Sequence, residues 1–166
     1  MPPTDMSPTE NRSSHFDESG AARMVDISAK PVTVRAATAI GSVQMRRETA
    51  EMIRGGTGSK GDVLAVARLA AISATKLTHL LIPLCHAIAV EGVEVRFDFA
   101  DEQTLRCEVD VRTSGRTGVE MEAMTAVSVA CLTVYDMAKS VDRAMTIGPI
   151  RLLEKSGGRS GHFDAR

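Results

Sequence analysis

Aromatic side chains are nearly missing from this sequence: four Phe, one Tyr and no Trp among 166 residues, 3% of a chain that is 43% hydrophobic. The core must therefore be assembled from Ala, Val, Leu, Ile and the nine Met, and recognition by stacking bases or sugars on aromatic platforms has little to draw on. Cysteine is scarce too. Cys85, Cys107 and Cys131 form no CxxC and no Cys/His ligand spacing, and three thiols cannot pair completely within one chain, which points to a reduced, cytoplasmic protein. Neither sign of charge dominates: 20 Lys+Arg against 21 Asp+Glu leave a formal net charge of −1, which argues against blanket phosphate neutralisation along a nucleic acid. Apolar runs are short, broken by Arg68, Lys76, His79 or Asp136 well before the ~20 residues that span a bilayer. No signal-peptide core precedes them. Nucleic-acid and membrane partners are disfavoured; enzymes and interaction domains remain.

What is present fits one domain with a core of its own. Residues 1–20, rich in Pro, Ser, Thr and acids, read as a disordered tail. A single domain follows over 21–166, closing in a flexible cationic loop at about 156–166. Val32, Thr33, Val34, Thr38, Ile40 and Val43 predict a strand over Pro31–Met45, bent at Gly41. A short helix, Arg46–Arg54, stops at Gly55-Gly56. Asp62 is a good N-cap for a long helix from Val63 to about Leu81, ended by Pro83. Val93, Val95, Phe97 and Phe99 alternate with charges, as do Leu105, Cys107, Val109 and Val111, so the two runs form a half-buried antiparallel hairpin. A second long helix spans about Val119–Ser140, and Met145–Leu153 makes a last short strand. The order strand, helix, strand, strand, helix, strand is the α+β, ferredoxin-like βαββαβ arrangement: an antiparallel sheet covered on one face by two long helices.

The chemistry-bearing residues gather in the glycine-rich loops and at the helix ends. Lys60 lies in the loop Gly56–Gly61, which opens onto a helix N-terminus, where backbone N–H groups and a cation can hold phosphate; the same loop also reads as a plain connector. His86 follows Pro83 at a helix end, a place for a capping residue as much as for a catalyst. Cys85 has no base beside it in sequence and reads as a small hydrophobe. Glu120 and Glu122 open a helix whose dipole favours acids there in any case. Asp136 and Lys139, at i and i+3, form a simple surface pair on one reading. On the other, Asp136 interrupts the apolar stretch Val127–Met137 where burial is expected, and a partly buried Asp/Lys pair has the opposed pKa shifts that proton transfer needs. Lys155–Gly161 is either a frayed tail or a cationic lid.

Taken together, six ordered strings, Met24–Lys30, Lys60-Gly61-Asp62-Val63, Ile82-Pro83-Leu84-Cys85-His86, Thr117–Ala123, Tyr135-Asp136-Met137-Ala138-Lys139 and Gly148–Gly158, resemble the cyclic pyranopterin monophosphate synthase family, the C protein of molybdenum cofactor biosynthesis. The likeness runs from about His15 to Phe163. It implies a lyase that rearranges 3′,8-cyclo-7,8-dihydro-GTP to cyclic pyranopterin monophosphate and releases pyrophosphate. By the same resemblance Asp136 is the catalytic residue with Lys139 beside it, Leu84, Cys85, His86, Met121 and Glu122 bind substrate, and Lys60, Glu120 and Lys155 are further site candidates. No metal-ligand cluster stands out and no cofactor is implied, Mg²⁺ entering only as a companion of the triphosphate.

Helix geometry adds a constraint. Glu122 and Asp136 are fourteen positions apart (122 to 136), or ~21 Å on a continuous helix. Antiparallel packing of the long helices puts Lys60, Asp136 and Lys139 at one end of the subunit and His86, Glu120 and Glu122 at the other. One small substrate cannot touch both. A homo-oligomer with each site at an isologous two-fold interface is therefore expected, in line with the hexamer, a trimer of dimers, that the resemblance implies. Two rival readings stand beside the enzyme. A nucleotide-binding regulatory module would tolerate loss of Asp136, and an RNA-binding sheet would need Phe97 and Phe99 exposed, although both fall on the expected core face.

Overall fold

Ala37, Ala39, Gly41 and Val43, alternating with Thr38, Ile40 and Ser42, build β1 (Thr33–Gln44), the central strand of the sheet. The computed structural model describes residues 15–17, 19–159 and 161–166; residues 1–14 and 18 of the expected N-terminal tail, and residue 160 of the expected C-terminal loop, lie outside these. After β1 come α1 (Arg47–Arg54), α2 (Val63–Thr75), α3 (Thr78–Leu81), β2 (Gly92–Phe99), β3 (Thr104–Gly115), α4 (Glu120–Ala138), β4 (Thr146–Ile147), β5 (Arg151–Ser156) and β6 (Phe163–Asp164). All pairings are antiparallel, in the order β2-β3-β1-β5-β6, with the short β4 also on β1. The four long strands thus lie in the order β2-β3-β1-β5 with α2 and α4 as the crossovers, which is the ferredoxin-like arrangement.

Both long helices lie on one face. Val95, Leu105, Cys107, Val109 and Val111 point inward from the hairpin and meet Ala123, Ala126, Val127, Ala130, Cys131 and Val134 of α4. Across α4 packs α2, through its buried Ala67, Ala71 and Ala74. Small side chains at these contacts let helices approach closely, which is how an aromatic-poor core reaches interior density. Phe97 and Phe99 pack against this core. The outer face of β2 and β3 carries Glu94, Arg96, Asp98, Arg106, Glu108 and Asp110, with Arg96 bonded to both Glu108 and Asp110. These charged side chains offer no ring on which a base could stack.

Four local features depart from the sequence expectation. The strand is not interrupted at Gly41, which pairs with Cys107 in an unbroken ladder with β3. Glycine is required there for another reason: a Cβ would fall 2.5 Å from Val127 Cγ1, 3.1 Å from Ile150 Cγ1 and 3.3 Å from Cys131 Sγ. The helix expected to run to Leu81 breaks at Lys76-Leu77. There the amides of both residues bond three residues back, and the Thr75 and Thr78 hydroxyls donate to the Ile72 and Ala74 carbonyls, competing for the groups a continuing helix would use. The last strand is split into β4 and β5 at Gly148, whose N–H bonds the Ser42 carbonyl and whose carbonyl accepts from Ser42 Oγ. Finally, β6 returns along β5 within the stretch expected as a C-terminal loop. Among the described residues no helix is long and apolar enough to cross a membrane.

Candidate active site

Two groups of candidate residues come together at opposite ends of α4. At its C-terminal end Lys139 Nζ donates to Asp136 Oδ1 at 2.5 Å, and Lys60 Nζ lies 3.0 Å from the Asp136 backbone carbonyl and 3.6 Å from Oδ2. Two cations here satisfy what the end of any helix presents, unpaired carbonyls and the negative pole of the dipole. Lys60 is delivered by the glycine-rich loop, fixed where Asp62 caps α2 by accepting from the Ala65 amide at 3.0 Å. The Lys139 hydrogen bond, with the charges of Lys139 and Lys60, holds the Asp136 carboxyl below the usual carboxylate range. The burial expected for this pair is absent in the single chain, where the Asp136 side chain is 60% exposed. Its neighbour one turn back, Leu132, is 57% exposed as well. The apolar stretch Val127–Met137 buries one stripe, through Val127, Ala130, Cys131 and Val134, and leaves this face of α4 uncovered.

At the N-terminal end a cavity of about 350 Å³ is lined by Leu84, Cys85, His86, Met121, Glu122 and Glu120. Every substrate-binding string expected from the sequence meets here. Glu122 is 3% exposed; desolvation, reinforced by the charge of Glu120, raises its carboxyl above the ordinary range. Burial and the Glu122 charge likewise push the Cys85 thiol up, away from the lowered range that marks a reactive thiolate. His86 Nε2 is 2.8 Å from the Val25 carbonyl, which ties the ring to the segment preceding β1. His15, Ile27 and Lys30 of that segment line the same cavity.

A second cavity, of about 570 Å³, adjoins the first and shares Lys30, Thr117, Gly118 and Glu120 with it. Its walls add Arg35, Arg116, Lys155 and Arg159. Lys155 Nζ is 3.2 Å from Glu120 Oε1, so one ion pair stands at the junction of the two. Arg35 is 9% exposed and donates from Nε to the Gly115 carbonyl. Its guanidinium lies against Gly158, where a Cβ would overlap it. Lys155 and Arg159 therefore stand with the Glu120 end of the subunit, apart from Lys60.

Arg35, Arg116 and Lys30 are not among the candidates that the sequence singles out. The signal for Arg35 is its parity: a charge at an inward position of β1, in step with Ala37 and Ala39. Arg116 sits in the glycine-bearing break after β3 and Lys30 at the end of the Met24–Lys30 string. Among the described residues no group of three or more His, Cys, Asp or Glu side chains is gathered as metal ligands.

Comparison with known proteins places the chain in a family. The model of the MoaC family matches residues 24–158. A cyclic pyranopterin monophosphate synthase of Desulfitobacterium hafniense is 56% identical over 149 residues, covering 90% of this chain and 91% of that protein. One from Rhodopirellula baltica is 54% identical over 162 residues, 92% of this chain and 93% of its own. The protein named cyclic pyranopterin monophosphate synthase 3 in Mycobacterium bovis is 59% identical over 149 residues, 90% of this chain and 84% of its own. Both cavities and the Asp136 trio fall within the matched stretch but for His15 and Arg159, and the chain belongs to the MoaC family.

Proposed function

We propose that this protein is a cyclic pyranopterin monophosphate synthase, which rearranges 3′,8-cyclo-7,8-dihydro-GTP to cyclic pyranopterin monophosphate with release of pyrophosphate, in the cytoplasm, as a step of molybdenum cofactor biosynthesis. The observation that carries the reading is the join between the two cavities. A cationic pocket opens directly beside one lined by His86 and a buried Glu122, which matches a molecule with a triphosphate at one end and a purine-derived ring at the other.

In this reading Lys30, Arg35, Arg116, Lys155 and Arg159 take the triphosphate through charge-assisted hydrogen bonds. Glu120, Glu122 and His86 meet the ring, where carboxylate oxygens accept from ring N–H groups and the imidazole supplies a further polar contact. Attack of a ribose-derived hydroxyl on the α-phosphate expels pyrophosphate, and the cationic pocket stabilises the charge that builds on the leaving group. Opening and reclosing the ring requires several proton transfers, for which Asp136 as base and Lys139 as acid form a bonded pair. Any Mg²⁺ in this reading enters as a companion of the triphosphate.

Asp136 and Lys139 stand at the far end of α4 from Glu122, so the catalytic pair comes from a second copy of the chain. The uncovered apolar face around Leu132 and the exposure of the Asp136 pair support such a contact. The assembly we propose is a homo-oligomer, a hexamer built as a trimer of dimers, with each active site at a two-fold interface.

The test is to incubate the purified protein with the cyclised GTP intermediate and follow pterin and pyrophosphate. Formation of both in equal amounts supports the reading. Binding without turnover by folded, oligomeric protein would overturn it in favour of a nucleotide-binding regulatory module.

A further inference from the structure

The segment ahead of β1 forms a small hairpin. Phe16 bridges Ala22, the Arg23 amide bonds the His15 carbonyl at 2.8 Å, and Asp17 Oδ1 accepts from the Ser19 amide and hydroxyl and from the Ala21 amide. This turn lies upstream of the stretch matched by the family model, 24–158. Two features dock it on the body of the protein. The return strand is held by His86 Nε2 on the Val25 carbonyl, 2.8 Å away. His15 itself lines the cavity that holds His86 and Glu122, with its Nδ1 buried.

We propose that His15 is a substrate-contacting residue, presented by this hairpin to the ring end of the substrate; the proposal rests on the function put forward above. A neutral imidazole carries one N–H donor and one acceptor nitrogen on diverging sides of the ring, so the nitrogen that faces the cavity can make one hydrogen bond, donated or accepted by tautomer, to a polar atom of a purine-derived ring. Burial gives such a bond weight, because a polar ring edge left unpaired in a desolvated cavity loses its full hydration. The hairpin also closes one wall of the cavity, which gives His86 a second role, since its ring latches the arm that carries His15.

The experiment measures kcat and KM for the cyclised GTP intermediate with the full chain and with His15→Ala, His15→Asn and Asp17→Ala, each also checked by thermal melting. His15→Ala is expected to lose about tenfold in kcat/KM, the scale of one buried hydrogen bond of ~1.4 kcal/mol, at an unchanged melting temperature. His15→Asn, which keeps a donor and an acceptor, is expected to recover part of that loss. Asp17→Ala loosens the turn that presents His15 and is expected to raise KM more than it lowers kcat. His15→Ala activity within twofold of wild type would overturn the inference while leaving the proposed function standing, as would a loss that tracks a fall in melting temperature and is not relieved by Asn. A wild-type protein that makes no pterin overturns the proposed function and this inference with it.

Discussion

Glu122 and Asp136 lie on one unbroken helix, fourteen residues apart (122 to 136) within α4, Glu120–Ala138. At 1.5 Å per residue that holds them ~21 Å apart along the axis, so the cavity around Glu122 and the Lys60/Asp136/Lys139 trio are separate surfaces of a single chain. In the proposed assembly, a two-fold contact that lays the C-terminal end of one α4 beside the N-terminal end of another would join them into one site.

Complementation tests that geometry. Asp136→Asn and His86→Ala proteins are each expected to be inactive, and subunit exchange between them is expected to restore roughly a quarter of wild-type activity, since half of the pairs are mixed and each keeps one intact site. Pterin formation before and after mixing is the measurement. No recovery would mean that both groups act within one chain.

Lys139→Ala is expected to leave assembly intact and to cut turnover by at least ~10²-fold, the usual scale for a lost acid/base group. Sedimentation reports the first effect and steady-state rates the second. Wild-type turnover would remove Lys139 from the mechanism.

Glu122 should make stability fall with rising pH. Its carboxyl is raised in the folded state, chiefly by desolvation, so the folded chain binds the proton more tightly than the unfolded one. The resulting stability is present in full below the unfolded carboxyl value and is lost as pH climbs from there through the raised folded value. Glu122→Gln removes the ionisation. Its melting temperature is therefore expected to exceed that of wild type at neutral pH and to converge with it at acid pH; a difference that does not change with pH would contradict this.

Gly41→Ala is expected to destabilise the fold by about 1–3 kcal/mol, the cost of overpacking a tight contact, because the new Cβ meets Val127 Cγ1 at 2.5 Å. Denaturant unfolding measures it. A stability equal to wild type would show that α4 can shift off β1 without penalty.

Arg116→Ala is expected to raise KM for the triphosphate substrate and to weaken the dependence of kcat/KM on ionic strength, since one charge of the cationic cavity is lost. Steady-state kinetics across a salt series decides it, and an unchanged KM would take Arg116 out of the phosphate pocket.

Period-two alternation in β2 and β3, the Asp62 cap and the Pro83 stop are enough to order the elements, because each acts within a few residues of chain. The break at Lys76 is not legible in the same way. It turns on Thr75 and Thr78 drawing the Ile72 and Ala74 carbonyls, which apolar period alone passes over. Gly41 looks like a bend in sequence, but its neighbour across space, Val127, is what demands a glycine. The apolar run around Asp136 predicts partial burial, yet a helix buries a stripe, and Asp136 and Leu132 lie off it.

Local sequence thus settles the order of the long strands and helices, the ferredoxin-like class, the family resemblance and the separation of Glu122 from Asp136, all of which follow from periodicity, capping and motifs that need no knowledge of distant contacts. Tertiary structure alone decides which residues share a cavity. Arg35 reaches the Gly115 carbonyl across 80 residues of chain, and Lys155 meets Glu120, because β1 is paired on one side with β3 and on the other with β5. Such meetings depend on strand order and helix approach, properties of the whole packed core rather than of any one segment.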